Sequence, residues 1–464
     1  MRALALAAVL AACHVPDVHF TPGGDAPTGD VPLADAASAG DVVWIRSLSA
    51  MLPLANVADT TGVTVTGYLN ATADLGGAPL TSAGGADLVI ASFAEADAAH
   101  QFSVRHGDIG NEYAWIDSDS NAGTPLVYGV SYGTVDLGQG QVAGGGGAGA
   151  DGYIGSYAAG TAGWVQRIVG PGEDKILATA LGPSSTVYGC GWFEQTTSFN
   201  NGTLTSAGGR DIFFARFNVF TGAVDLTKQY GGSGRDEISG AASSGNDLVL
   251  AGFFDDSFSF GNLSTTITAN AGGLDLWIAK LASDGTAMWA VTFGGAGDDR
   301  DPRVAVDAAG DVYVTGTFTT AITLGPFGLT SAGGQDHFIA KLRGNDGSVV
   351  WARSFGSALD EHAGRVAVDG KGHVAWVGTL SGPLAGETSA GGNDAMIAEY
   401  SAADGSPLWH HVYSTSGDDG GGGVAYSSVT GDLIASITLG GSYDFGHPVI
   451  GAPSPIGVLL RLVP

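Results

Sequence analysis

Apolar and polar positions alternate most regularly over residues 275 to 318, DLWIAKLASDGTAMWAVTFGGAGDDRDPRVAVDAAGDVYVTGTF. Four segments stand out there, DLWIAKL, WAVTFG, VAVD and VYVTG, each about four to seven residues long and rich in β-branched and aromatic residues. That is the pattern of short half-buried strands. Asp-Gly, Gly-Gly and Ala-Gly-Asp lie between them and supply the positive φ angles of tight turns. The stretch predicts a four-stranded antiparallel meander. From Asp336 the same order returns as FIAKL, DGSVVW, SFG, DE, RVAVD and VGT, and from residue 394 as MIAEY, DGSPLW, VYS and GDD. The Asp that opens the FIAKL-type segment stands at 87, 151, 211, 275, 336 and 394, so the units run 58 to 64 residues. Four strands and two longer loops fill that period, which predicts one propeller blade per repeat.

The ends of the chain fit the same register. VVWIRSL from Val42 matches the WxxxFG segment, and IGVLLRL, residues 456 to 462, matches the FIAKL segment with Ile456 in place of the Asp. An open circle of blades would leave strand edges exposed, so the first and last strands are expected to pair and close the ring. VAVD-type segments begin at 57, 114, 176, 238, 304, 366 and 424, which gives seven blades. The expected fold is all-β, a seven-bladed propeller of four-stranded blades over residues 41 to 464.

Composition narrows the setting. The net charge is −28, and charged residues make up only 14% of the 464, which argues against nucleic acid as a partner. At the N-terminus, Arg2 followed by the apolar stretch Ala3 to Ala12 reads as an export signal over residues 1 to 12, too short to span a bilayer. Leu10-Ala11-Ala12-Cys13 resembles the lipobox of bacterial lipoproteins, which implies lipidation of Cys13. Residues 13 to 40 mix Pro, Gly, Asp and Ala without period and read as a flexible tether. With Cys13 acylated only Cys190 remains, in a strand-like VYGCGWF, so a packed thiol and no intramolecular disulfide are expected.

The runs WxxxFGGxxxD, VAVDxxGxVYVTG, DxFIAKL and DG-x-x-x-W together resemble the seven-bladed β-propeller repeat family of bacterial exported and surface proteins. The resemblance implies the fold and an exported setting, and it carries no shared catalytic residues. By analogy with related propellers, VAVD is the innermost strand, VYVTG the second, FIAKL the third and WxxxFG the outermost. The DG-x-x-x-W fragment is also similar to quinoprotein propellers, but no other segment supports a dehydrogenase.

The candidate chemistry recurs with the repeat. Trp44, Trp164, Trp289, Trp351 and Trp409 open outer strands and are expected to pack between blades. The Asp opening each third strand follows a Gly-rich loop and is expected to accept its N–H groups. Residues 117 to 123, DSDSNAG, resemble a calcium loop in part and read better as a hairpin. After each outer strand come paired acids: Asp108 and Glu112, Glu173 and Asp174, Asp236 and Glu237, Asp298 and Asp299, Asp360 and Glu361, Asp418 and Asp419. They are expected either to accept loop N–H groups and pair with Arg235, Arg300, Arg303 and Arg365, or to form a negative face that attracts a basic partner or Ca²⁺. His362, among those acids, is the histidine an active site would use. The first functional expectation is a non-catalytic binding or scaffold propeller at the cell envelope, held to the membrane by its lipid anchor alone. Its partner would be an envelope protein or polysaccharide, and the ring itself a monomer at the outer membrane or cell surface. The second is an exported lyase or hydrolase working on one propeller face.

Overall fold

A computed structural model describes residues 38–116, 125–142, 144, 149–199, 201–261, 263, 267–268, 272–384, 387–445, 449–450 and 455–464. The export signal, Cys13, most of the tether and the loop at 117–123 lie outside the described residues. Among the described residues strand pairing gives seven four-stranded antiparallel units, at 52–106, 112–168, 174–232, 236–295, 299–355, 362–413, and 420–462 joined by 42–47. The unit at 299–355 shows the order within a blade. Asp299–Val306 is the inner strand, followed outward by Val312–Leu324, Phe327–Leu342 and Val349–Phe355. Apolar clusters lie between neighbouring units, as where Val249, Leu276 and Ile278 meet Val314, Phe338 and Ala340. Each blade thus buries its faces against its neighbours, which is the propeller solution to packing small twisted sheets.

The seam between the ends is built by Val42–Ser47, which pairs antiparallel with Ile456–Leu462, Trp44 opposite Arg461. Asn56 of the next inner strand reinforces it. Its Nδ2 donates to the Ile434 carbonyl at 3.2 Å, and its Oδ1 accepts from Ser436 Oγ at 2.8 Å.

Two connections differ from the expected loops. The second and third strands at Thr186–Phe199 and Gly202–Asn218, and again at Val312–Leu324 and Phe327–Leu342, run on as long two-stranded arms. In the second arm Ile322 and Leu324 are buried while neighbouring Thr residues face out, so period-two burial keeps the pair extended. Ile322 and Thr323 also pair with Gly295 and Gly294 of the preceding outer strand, a backbone tie between blades.

The recurring tryptophans make a second tie. Nε1 of Trp44 donates to Glu95 O at 2.8 Å, Trp164 to Val219 O at 2.7 Å, Trp289 to Gly344 O at 3.1 Å and Trp351 to Ala402 O at 3.2 Å. Each acceptor sits in the hairpin between the third and outer strands of the following blade. In the last two of these the hairpin carries the repeated Asp-Gly, at 346–347 and 404–405. At Gly405, φ is +69° and an added Cβ would lie 2.5 Å from the Trp351 ring, so both backbone and space require glycine. Trp409 faces the seam, where no such hairpin follows. Its Nε1 turns instead to Glu399 Oε2 at 2.8 Å.

Candidate functional site

The paired acids divide by depth. In each pair at least one carboxylate is buried: Glu112, Asp174, Asp236, Asp299, Glu361 and Asp419 are all at most 2% exposed. Each follows the third-strand Asp of the preceding blade by 23 to 25 residues, and those six, Asp87, Asp151, Asp211, Asp275, Asp336 and Asp394, are at most 3% exposed. The two sets meet. Glu112 lies within hydrogen-bonding reach of Asp87, and Glu361 of Asp336. Burial first, then the facing carboxylate, raises Glu112 to about 7, Asp174 to about 8, Asp236 to about 7 and Asp299 to about 8. Two like charges this close and this dry do not both ionise at neutral pH. At the seam Ile456 takes the place of the third-strand Asp and Met51 the place of the inner acid, and both are buried. The two acids are lost together, as members of one contact would be.

The local sequence explains the placement. The third-strand Asp accepts the N–H of its Gly-rich loop, Ala83 to Asp87 at 2.6 Å, Ala207 to Asp211 at 3.0 Å and Ala332 to Asp336 at 2.6 Å. A glycine ends the outer strand directly above the carboxyl. At Gly107 an added Cβ would lie 2.4 Å from Glu112 Oε2 and 2.5 Å from Asp87 Oδ1. At Gly356 it would lie 2.5 Å from the Asp336 carboxyl. The Gly of the FG motif is therefore the lid of the acid pair.

The outward members are also committed. Oδ1 of Asp298, Asp360 and Asp418 accepts the N–H of Leu274, Gln335 and Asn393 at 3.1, 2.9 and 3.1 Å. Glu237, itself buried, binds Arg210 at 2.6 Å and Arg235 at 2.5 Å, and Arg300 pairs with Asp298. His362 is exposed at the start of its inner strand. Among the described residues the buried histidine is His337, on the third strand of the preceding blade, 1% exposed, with Nε2 3.3 Å from Thr379 O. Desolvation lowers it to about 4, so its ring is neutral at pH 7.

Arg303 and Arg365 depart from expectation: neither makes an ion pair within 4.0 Å among the described residues. They line a cavity of about 60 Å³ on the axis of the ring, with Asn56, Tyr128, Ser239 and Val424. Both arginines follow a β-bulge in their inner strands, after Arg300 in one and after His362 in the other. Bulges re-aim side chains, and here Asp301 takes up the turn with φ +54°. Aligned on the repeat, the same position holds Ala55, Ala178, Gly240 and Gly423. In the unit at 112–168 strand pairing puts Trp115 at this position, and Arg303 and Arg365 are the two cations there, on neighbouring blades. Two other polar groups of the lining are committed: Ser239 Oγ donates to Pro302 O at 2.7 Å, and Asn56 is held in the seam by the Ile434 carbonyl and Ser436 Oγ. Arg303 donates to the Ser239 carbonyl, and burial together with the Arg365 guanidinium lowers its pKa. Sequence alone hides this pair: the residue before each VAVD-type segment is Asn56, Tyr113, Lys175, Glu237, Arg303, Arg365 or Gly423, and only strand pairing fixes which position meets the axis.

No family model and no curated protein matches this chain. Among solved structures, it is similar to the WD40 domain of Neurospora crassa Pan2, at 11% identity over 89% of each chain with a TM-score of 0.42. It is also similar to the Dos1 propeller, at 8% identity over 90% of this chain and 94% of that one, TM-score 0.41. A third is the quinohemoprotein alcohol dehydrogenase ADHIIG of Pseudomonas putida HK5, at 10% identity over 90% and 75%, TM-score 0.41.

Proposed function

We propose that this chain is a non-catalytic binding propeller displayed at the bacterial cell envelope as a lipoprotein, anchored through Cys13 and held off the membrane by residues 13 to 40. The observation that supports binding is the axial cavity. Side chains that do not recur around the ring converge there from different blades, while those that do recur are spent on holding blades together. Its lining presents guanidinium donors, while the Ser239 hydroxyl and the Asn56 amide are already held within the fold, a set suited to retaining a ligand. The envelope setting is supported by the signal-like N-terminus and by the resemblance of the repeat. The acids Asp360 and Asp418 keep one oxygen each beyond their loop contacts, and they give the loop face a negative field suited to a basic segment of an envelope protein.

The test is fractionation of bacteria expressing the full chain or its Cys13→Ala variant, with the released ring then assayed for saturable binding to envelope material. Wild type is expected in the membrane fraction, the variant in the soluble one, and bound envelope material is expected to be recovered unchanged. Soluble wild type would contradict the display. Chemical conversion of the bound material would favour the enzyme reading.

A further inference from the structure

We propose that Arg303 and Arg365 form a binding site for a small oxyanion on the axis of the ring, a phosphate, sulfate or carboxylate held between two guanidinium groups. The inference rests on the binding reading of the same cavity and names its ligand class. Both arginines stand at one repeat position on adjacent inner strands, aimed by the same bulge into the same cavity. Guanidinium groups carry planar donor forks that match the oxygens of such anions, and they hold their charge at neutral pH. Two like charges facing each other in a confined space are a poor arrangement by themselves. An anion between them turns the repulsion into two charge-assisted contacts. The neighbouring charges are unequal to that task. Asp301 attracts Arg303, yet no carboxylate comes within 4.0 Å of either guanidinium among the described residues, in a chain of net charge −28. The other side chains facing the cavity, Asn56, Tyr128, Ser239 and the aliphatic residues of the inner strands, bring no negative charge at neutral pH. A cavity of about 60 Å³ holds a small ion or a few waters, since one water needs roughly 10–15 Å³. Both arginines are half-buried by surface area.

The repeat supplies the control substitution, because Ala55 and Ala178 occupy this position in other blades. The full chain and its Arg303→Ala/Arg365→Ala variant are titrated calorimetrically with inorganic phosphate, sulfate and acetate at constant ionic strength set with chloride. An Arg303→Lys/Arg365→Lys variant, which keeps the charge and loses the fork, is run alongside. The wild type is expected to bind at least one of these anions at one site per chain. The alanine pair should bind at least tenfold more weakly with unchanged circular dichroism, and the lysine pair should fall between. No binding by wild type above the chloride background overturns the site, and so does equal binding by the alanine pair. If the alanine pair does not fold, wild-type binding retained in full by the lysine pair overturns the fork. Loss of envelope binding in the fractionation experiment with the anion titration intact would break the functional reading and leave this site standing.

Discussion

Trp351 shows how one residue carries the contact between two blades. Its ring is 3% exposed, lies against Gly405 and reaches the Ala402 carbonyl of the next unit. Removing a buried indole costs about 3–5 kcal/mol in transfer and cavity terms. Trp351→Ala is therefore expected to lower unfolding stability by about that amount in a denaturant titration. Trp409→Ala, at the seam and only partly buried, should cost clearly less. Equal losses would mean that the tryptophans act within their own blades. The sequence shows the recurrence of these rings because their position in the unit is constant. It hides their acceptors, which sit some 51 to 55 residues further on in most cases, in a turn of another blade. Arg303 and Arg365 were hidden for the opposite reason. Acids close by in sequence offered local partners, and only the β-bulge turns the side chains away from them.

Strand type and order were legible because each strand is short, alternating and bounded by turn residues. Inner, second, third and outer strands lie where the VAVD, VYVTG, FIAKL and WxxxFG segments are. The arms were not legible. TTAITLGPFGLTSAGG is dense in Thr and Gly and reads as a loop until Ile322 and Leu324 find apolar cover. The element with the most leverage is Val42–Ser47, the only outer strand that reaches its blade from the far end of the chain. Deleting residues 41–50 strips the pairing from Ile456–Leu462 and leaves an open edge. The truncated protein is expected to melt well below the intact chain and to aggregate. An unchanged melting temperature would show that the seam contributes nothing.

Across the whole molecule the acids form two rows, an outer one in which Asp298, Asp360 and Asp418 cap Gly-rich loops, and an inward one that faces the third-strand Asp of the preceding blade. The six acid pairs were visible as a repeat, but their depth was not, since burial depends on the glycine above and the blade beside. The central claim is that these acids hold the ring together as partly protonated pairs. The folded values of Glu112, Asp174, Asp236, Asp299 and Glu361, about 7 to 8, lie above the usual carboxylate range of about 4. The folded state then binds more protons than the unfolded chain between those limits. Stability from these groups is full below about pH 4 and is lost as pH rises through 7 to 8. The most direct measurement is the urea midpoint of the full chain at pH 5, 6, 7, 8 and 9, with and without Ca²⁺, compared with an Asp299→Asn/Glu361→Gln variant. The account predicts a midpoint that falls as pH rises, a shallower fall in the variant, and no effect of Ca²⁺. A flat or rising midpoint, or Ca²⁺ restoring the wild type at pH 8, would contradict it.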